Sequence, residues 1–529
     1  MSVIETTMVE MPDGVKLFTV IKKPAAEGRF PVVYRRSPYY STSADAIKEL
    51  EEENSYDYAI VSQICRGITD SEGIFIPLIY ERADGLATMD WIRKQPFYNG
   101  EIYPQGASYL SSVHLSYLDS NPEGVKSSEL AVQDCVPYNL AFRHGIYKTG
   151  LSGSWTIRMY KKSEPLQRNF VDETFLTRPF AGASRFIFGE EAPYLEELVV
   201  HEDPNDPHWT LPSGHIGYRN AMRNLKTPIL LTTAFYDLYT EGVVDMWYEL
   251  PEETRKKSAL VITPYSHAYF GDSRNVLNFE NAKLPGETFY DYGLKWFDYI
   301  RGKRPLNDFF ELGGITYFPV FGDAWRKTDR IRNGEKVWNL YLHKDQTLSS
   351  EPEEKSEMSY LYNPVAPAHF KGGICSCFGG MQLQDPPNSR YDIKSFIGEP
   401  IKGRHLMEGE GTVKLRVKSN CPDTCFYVRL SIIKGDKTWS LRDDIRTLCY
   451  EHPDYTAGSF VELDFKFPVH SFVIEEGDRL RLDISSSCFP YYFVHTNRRG
   501  IQAYQTGSDI ATNTVELGEA CLSLFESEF

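Results

Sequence analysis

The sequence lacks the features of a membrane or exported protein. No segment approaches the roughly 18 consecutive apolar residues that a membrane span needs, and the N-terminal residues carry no basic stretch followed by an apolar one. We therefore expect a cytoplasmic protein that does not enter a membrane.

Cysteine and positive charge are also scarce. The nine cysteines are odd in number and scattered over 529 residues, unlike the dense framework of a small secreted domain. The pairs Cys375/Cys377 and Cys421/Cys425 have no matching Cys or His pair at zinc-site spacing, so we expect reduced thiols. The 57 basic residues against 73 acidic ones give a net charge of −16, which argues against nucleic acid or an anionic membrane as partner.

The sequence contains enough apolar residues for a large folded core. Hydrophobic residues make up 41% and aromatic residues 14% of the chain, with no low-complexity tract or fixed repeat. At this length we expect two or three packed units.

The pattern of apolar runs divides the chain into three parts. Residues 1–138 and 226–334 alternate short apolar runs, such as Phe30–Tyr34, with helical stretches, which predicts a parallel sheet covered by helices. Residues 139–225 are rich in aromatic and charged residues and predict a helical cap over that sheet. Residues 335–529 alternate with period two, which predicts a β-sandwich.

Ser108 is the candidate nucleophile. It follows Gly106-Ala107, between a strand-like run and the helix-like stretch 110–118, on a strand-to-helix turn. A helix that begins there directs backbone N–H groups at a developing oxyanion. The second glycine usual in this motif is absent, and an ordinary N-cap serine is the alternative.

Asp237 and His267 are the candidate partners of this serine. A serine hydroxyl needs a base to take its proton and an acid to fix the tautomer of that base. Both residues follow late strand-like runs, and the chain order Ser, Asp, His is the one expected for α/β-hydrolases. A complete serine triad needs no metal and no organic cofactor.

Three histidines in the cap could suggest a metal site. His201, His208 and His215 are spaced by seven residues, but the prolines between them break any helix that could align them. We expect no metal there.

Ordered motifs along nearly the whole chain resemble one hydrolase family. They are Asp13-Gly-Val-Lys-Leu17, Ser37-Pro-Tyr39, Arg66-Gly67, Asp70-Ser-Glu-Gly73, Asp90-Trp91, Gln95-Pro96, Asn99-Gly100, Gly106-Ala-Ser-Tyr109, Phe235-Tyr-Asp237, Pro264-Tyr-Ser-His267, Pro422-Asp-Thr424, 477–487 and Phe489-Pro490. This set is similar to the cocaine-esterase and X-prolyl dipeptidyl-peptidase family, which includes α-amino acid ester hydrolases and glutaryl acylases. The resemblance implies an α/β-hydrolase core, an inserted helical cap and a C-terminal β jelly roll.

The resemblance also implies further site residues. The hydroxyl of Tyr39 and the backbone N–H of Tyr109 would form the oxyanion hole. The sequence departs from the family at positions that are usually tryptophan, here Phe97, Phe235 and Tyr265. We expect Phe235, two residues before the candidate acid, to bind substrate and alter acyl preference.

These observations predict a serine hydrolase that cleaves an ester or amide bond of a small acyl substrate through an acyl-enzyme. A proline-directed dipeptidyl peptidase is the first alternative, and it needs an anionic subsite, for which the acidic cap residues Glu190, Glu191, Glu196 and Glu197 are candidates. A binding module with a vestigial hydrolase core is the second. The expected partners are small esters, amides or short peptides, and the sequence leaves a homo-oligomer open.

Overall fold

The computed structural model describes residues 2–160, 168–210, 221–286, 288–306, 309–375 and 380–529. Cys377 and His215, which the sequence singled out, lie outside these ranges.

Short strands make up a large sheet in the N-terminal part of the chain. They are β1 (Val3–Glu10), β2 (Lys16–Lys23), β3 (Phe30–Ser37), β4 (Ala59–Ile64), β5 (Tyr98–Ala107), β6 (Ser128–Ala131), β7 (Phe142–Arg143), β8 (Ile146–Tyr147), β9 (Ile229–Ala234), β10 (Ala259–Thr263), β11 (Ile315–Tyr317) and β12 (Arg326–Thr328). Apart from the β7–β8 hairpin, they pair in the order β1-β2-β4-β3-β5-β6-β9-β10-β11-β12.

The centre of this sheet is parallel. Strands β4, β3, β5, β6, β9, β10 and β11 run in one direction, while β1, β2 and β12 pair antiparallel at the two sides. Every residue of β9 and β10 is buried, as expected for strands covered on both faces. The carboxyl ends of the parallel strands therefore meet at one edge, where loops can place side chains together.

Helices surround this sheet and form much of the insertion after β6, and one short helix, the last along the chain, lies in the C-terminal part. They are α1 (Ser43–Glu52), α2 (Glu81–Arg93), α3 (Tyr109–Leu118), α4 (Pro137–Ala141), α5 (Ser154–Tyr160), α6 (Arg168–Thr174), α7 (Ser184–Phe188), α8 (Pro193–Leu198), α9 (Thr240–Glu249), α10 (Glu252–Arg255), α11 (Phe289–Ile300) and α12 (Leu448–Glu451). A capping box of Thr42 and Asp45 begins α1, and every residue of α3 is buried.

The segment between β6 and β9 contains α4–α8, as the aromatic-rich sequence predicts. It also contains the β7–β8 hairpin and a π-helical turn at Thr149–Gly153, which leads directly into α5. We refer to the described part of this segment as the cap.

The C-terminal part of the chain forms a second, mainly antiparallel sheet. Its strands are β13 (Lys336–Leu342), β14 (Thr347–Ser349), β15 (Ser356–Tyr362), β16 (Lys394–Gly398), β17 (His405–Gly409), β18 (Thr412–Ser419), β19 (Cys425–Lys434), β20 (Lys437–Thr447), β21 (Val461–Lys466), β22 (His470–Ile474), β23 (Arg479–Ser485) and β24 (Ala511–Ser527). The long strand β24 pairs with β13, β15, β17 and β18, and alternate residues of β18 are buried.

The C-terminal sheet holds the loops of the first sheet in place. The hydroxyl of Tyr236, in the loop after β9, donates to the Ser440 carbonyl at 2.9 Å. In the cap, the Nε atom of Arg143 donates to the buried Asp444 carboxylate at 2.6 Å. The cap and the edge of the parallel sheet are thus both fixed from the C-terminal side.

Within the described residues, no helix combines the length and the apolar character that crossing a membrane would require.

Candidate active site

Ser108 occupies a strained turn between β5 and α3. Its backbone has φ 57° and ψ −129°, a region that a non-glycine residue adopts at a cost on the order of 1–3 kcal/mol. A Cβ on Gly106 would lie 2.3 Å from the Leu110 carbonyl oxygen, so only glycine fits before the serine. The turn is tight although the second glycine of the usual motif is Leu110 here.

The first turn of α3 lies directly behind Ser108. The carbonyl oxygen of Ser108 accepts from the N–H groups of Ser111 and Ser112 at 2.8 and 3.2 Å, which fixes the start of the helix. Tyr109 is the first residue of α3, and the backbone N–H groups of a helical first turn have no acceptor within the helix. Its amide therefore lies at the positive end of the α3 dipole, directly after Ser108.

The side chain of Tyr109 anchors this turn. Its hydroxyl donates to Glu81 Oε1 at 2.8 Å and accepts from the Leu78 N–H at 2.8 Å. Its ring stacks on Trp155 of the cap, with ring centroids 5.3 Å apart. The cap and the start of α3 are thereby joined next to the serine.

Asp237 and His267 lie in hydrogen-bond contact after β9 and β10. The Nδ1 atom of His267 donates to Asp237 Oδ2 at 2.6 Å, and the Asp237 side chain is fully buried. The other carboxylate oxygen, Oδ1, accepts from the Tyr239 N–H at 2.8 Å. Because the carboxylate accepts a hydrogen bond from Nδ1–H, the Nε2 atom of the neutral imidazole carries the lone pair.

Backbone bonds and one asparagine hold the two loops together. Tyr236 N–H donates to the Tyr265 carbonyl at 2.9 Å. Asn275 Oδ1 accepts from both the backbone N–H and the hydroxyl of Ser266, while its Nδ2 donates to Ala268 at 2.9 Å. Asn275 therefore fixes the residues on either side of His267, a role for which the sequence gives no local signal.

Tyr39 follows β3 and points toward the cap. Its side chain is partly exposed, and its hydroxyl oxygen accepts from the Trp155 indole at 3.3 Å. In that bond the phenol uses a lone pair rather than its hydrogen. The sequence did not indicate Trp155 as a site residue, although it contacts both candidate oxyanion residues.

Two cavities meet at Ser108. The small cavity has a volume of about 70 Å³ and is lined by Tyr39, Pro77, Leu78, Ser108, Tyr109, Gln133, Pro137, Leu140, Ala141, Leu151, Ser152, Trp155, Thr156, Tyr194, Leu198, Trp209 and Tyr239. The large cavity has a volume of about 440 Å³ and is lined by Tyr39, Ala107, Ser108, Val132, Gly150, Leu151, Ser154, Trp155, Arg158, Asp172, His267, Ala268, Tyr269, Phe270, Arg274 and Phe289. Ser108 and His267 thus face the same space.

A buried carboxylate supports the wall of the small cavity. Asp134 accepts from the Val136 N–H at 2.7 Å and from Asn139 Nδ2 at 3.1 Å, at the start of α4. Burial raises the pKa of Asp134 to about 6. The group is therefore mostly ionised at neutral pH and can accept both bonds.

Phe235 lies away from both cavities. It is fully buried, and its ring contacts Tyr317 edge to face at 6.4 Å and the Arg442 guanidinium at 5.7 Å. Its N–H pairs with Thr263 along the strands, which directs the side chain into the interior between the two sheets. This position gives no support to the predicted contact of Phe235 with substrate.

Two of the three cap histidines lie together, although prolines interrupt the chain between them. The rings of His201 and His208 are stacked, with centroids 4.1 Å apart and an interplanar angle of 6°. They approach each other because the chain turns back between them, without needing a common helix.

Comparisons with known proteins agree with this architecture. The family model described as X-Pro dipeptidyl-peptidase (S15 family) matches residues 13–269, and the model of the X-Pro dipeptidyl-peptidase C-terminal non-catalytic domain matches residues 313–524. A cocaine esterase from Rhodococcus sp. (strain MB1 Bresler) is 25% identical over 97% of this chain and 95% of its own.

Solved structures show the same fold. An aminopeptidase from a marine sediment Thaumarchaeota archaeon matches with a TM-score of 0.82 at 18% identity, covering 100% of this chain and 96% of its own. An α-amino acid ester hydrolase matches with a TM-score of 0.81 at 18% identity, covering 99% and 96%. The predicted fold class, an α/β-hydrolase core with an inserted cap and a C-terminal β domain, is confirmed.

Proposed function

Because the chain belongs to the X-Pro dipeptidyl-peptidase (S15) family and is a serine hydrolase, we propose that Ser108, His267 and Asp237 are its catalytic triad. The observation that carries the proposal is the 2.6 Å bond between His267 and the buried Asp237, with His267 lining the same cavity as the strained Ser108.

In the proposed reaction, Ser108 Oγ attacks the carbonyl carbon of an ester or amide. His267 Nε2 takes the hydroxyl proton, and Asp237 stabilises the imidazolium that forms. The carbonyl oxygen becomes an oxyanion that accepts from the Tyr109 N–H and the Tyr39 hydroxyl. His267 then returns the proton to the leaving group, which departs and leaves the acyl group on Ser108. A water molecule then attacks the acyl-enzyme in the same way, and the carboxylic acid is released from Ser108. The chain's own residues supply every group that these steps use.

The residues that line the two cavities indicate which one binds the acyl group and which one binds the leaving group. The leaving group must lie beside His267, which protonates it, and His267 lines the large cavity only. The amide donor comes from Tyr109, which lines the small cavity. We infer that the acyl group enters the small cavity and the leaving group occupies the large one. The small cavity is the narrower of the two, so we expect it to favour a short acyl group, whereas the large cavity has room for a bulkier alcohol or amine.

A proline-directed dipeptidyl peptidase is the second candidate, because the family model bears that name. Its substrate carries a free amine on the acyl side, which requires a nearby carboxylate. None of the described residues that line the small cavity is acidic. Of the cap glutamates, Glu196 accepts from the Ser184 N–H and Glu191 pairs with Arg185 at the surface. With the acyl group in the small cavity, these observations favour the esterase or amidase. In the opposite orientation, Asp172 of the large cavity would be a carboxylate for a free amine.

A substrate panel tests this proposal. Wild type and Ser108→Ala are assayed with 4-nitrophenyl esters from acetyl to decanoyl, and with Xaa-Pro 4-nitroanilides whose amine is free or acetylated. We expect turnover of the short-chain esters, a fall in kcat/KM beyond about six carbons, and no activity in Ser108→Ala. Turnover of free-amine Xaa-Pro anilides far above the esters, lost on acetylation, would establish the peptidase instead.

Several sequence-based expectations stay proposals. They are the domain boundaries at 138/139, 225/226 and 334/335, the cytoplasmic location and a homo-oligomeric state. The small-molecule character of the substrate is supported by the volumes of the two cavities.

A further inference from the structure

A cluster of ligand-type side chains lies in the cap, outside the triad. It consists of Glu197 near the end of α8, His201 just after that helix, and His208 in a short 3₁₀ turn. None of the three lines the cavities that Ser108 shares. The reaction proposed above uses none of them, so the cluster needs its own explanation. We call these three residues the cap histidine cluster.

The ligand atoms of the cluster lie close enough together to reach a single ion. One ligand atom from each residue lies within 4.8 Å of the others, and His208 Nδ1 lies 3.5 Å from Glu197 Oε1. Two ligand atoms of one tetrahedral Zn²⁺ are about 3.4 Å apart, given metal–ligand distances of roughly 2.1 Å. The His208–Glu197 pair is therefore already near the required separation. The rings of His201 and His208 are stacked in parallel planes, so one imidazole must turn for both nitrogens to face the same ion. The Glu197 side chain is 56% exposed and can rotate toward them.

A fourth residue orients the first histidine. Asp206 Oδ2 accepts from His201 Nδ1 at 2.8 Å, which leaves the lone pair of the imidazole on Nε2. Histidines that bind metals characteristically give their other ring hydrogen to a carboxylate in this way. A mere surface ion pair needs one histidine and one acid, whereas here a second imidazole and an orienting carboxylate are also present.

We propose that the cap histidine cluster binds one divalent transition-metal ion of the zinc type. Two imidazole nitrogens and one carboxylate oxygen suit Zn²⁺, Co²⁺ and Ni²⁺ better than Ca²⁺ or Mg²⁺, which prefer oxygen ligands alone. Water completes the coordination. The ion has a structural role, since the cluster lies outside the cavities that hold Ser108.

Such an ion would stiffen one wall of the small cavity. Trp209 follows His208, and its indole donates to the His201 carbonyl at 3.2 Å. Leu198 follows Glu197, and both Trp209 and Leu198 line the small cavity. Binding therefore ties α8 to the turn that carries Trp209.

The test uses untagged protein stripped with a chelator and titrated with CoCl₂ and with ZnCl₂. We expect one equivalent of Co²⁺ to give visible d–d absorption, Zn²⁺ to displace it, and Zn²⁺ to raise Tm. The substitutions His201→Gln, His208→Gln and Glu197→Gln should each weaken binding by about tenfold or more, and Asp206→Asn by about tenfold.

The matched control is His144→Asn. His144 Nδ1 lies 3.2 Å from Glu451 Oε1, a histidine–glutamate pair outside the cluster, and its loss should leave the Co²⁺ titration unchanged. Tm of each metal-free variant checks that it folds. Wild type that binds neither ion at 100 μM, or variants of the cluster that titrate like wild type, would overturn the proposal.

Discussion

The small and the large cavity share Ser108, Tyr39, Leu151 and Trp155, yet they differ in volume and in charge. The small cavity is closed mainly by apolar cap residues, while the large one includes Arg158, Asp172 and Arg274 and has about six times the volume. An apolar site discriminates by size, at about 1–3 kcal/mol per methylene. The proposed division of the substrate therefore places acyl selectivity in the small cavity and makes the large cavity permissive toward the leaving group.

Loss of the base or of its orienting acid should abolish turnover for substrates of every size. His267→Ala and Asp237→Ala should each lower kcat by on the order of 10³ to 10⁶, because the serine then loses the proposed base or the group that orients it. Steady-state kinetics with acetyl and butyryl esters measure this fall in kcat. His343→Gln, a change in the C-terminal domain, serves as control. A kcat within tenfold of wild type in either triad variant would remove that residue from the triad.

Tyr39 borders both cavities, so the loss of its hydroxyl should change kcat rather than KM. Tyr39→Phe should lower kcat by on the order of 10² to 10³ with little change in KM, because one oxyanion donor is lost. The control is Tyr40→Phe, because the hydroxyl of Tyr40 donates to Glu49. A rise in KM at unchanged kcat would make Tyr39 a binding residue.

Substitutions in the two walls should separate the two selectivities. Leu140 lines the small cavity only and Phe289 the large cavity only. Leu140→Phe should lower kcat/KM for butyryl relative to acetyl esters by about tenfold, or about 1.4 kcal/mol, without changing the order among alcohols.

The reciprocal variant is Phe289→Ala, which should alter the preference among leaving groups and leave the acyl series unchanged. Both are measured as kcat/KM ratios within one series, so that losses common to all substrates cancel. If each variant shifts both series equally, the two cavities do not divide the substrate in the proposed way.

Substitution of Phe235 should have the smallest effect on catalysis. Because the side chain is fully buried against Tyr317 and Arg442, Phe235→Trp overpacks the interior and should cost about 1–3 kcal/mol of unfolding free energy. Denaturant unfolding measures this loss, and the ratio between aliphatic and aromatic acyl esters should stay constant. A tenfold change in that ratio at unaltered stability would restore the substrate contact predicted from the sequence.

The sequence was enough to predict the residues whose positions are determined by the parallel sheet. Ser108, Asp237 and His267 each follow a parallel strand, and carboxyl ends of parallel strands meet at one edge. The order of strands and the family motifs therefore predicted the fold class and the family, which are confirmed. They also predicted that these three residues lie near one another, as the structure has them.

The sequence failed where contacts depend on the cap or on the second sheet. Phe235 was placed by its distance along the chain from Asp237, but the alternation of β9 and its neighbours directs it inward. Trp155 lies at the start of α5, directly after a π-helical turn, and Asn275 lies in the loop after β10. Neither position has a local sequence signal that points to the site. The two stacked histidines of the cap approach through a turn, which a helix-based spacing argument does not consider.

Covalent labelling of Ser108 tests the central claim most directly. Wild type and Ser108→Ala are treated with a fluorophosphonate, and intact mass followed by peptide mapping locates the adduct. The account predicts one adduct on wild type, on the peptide that contains Ser108, and none on Ser108→Ala. An adduct that persists in Ser108→Ala, or that maps to another residue of wild type, would contradict the assignment of the nucleophile.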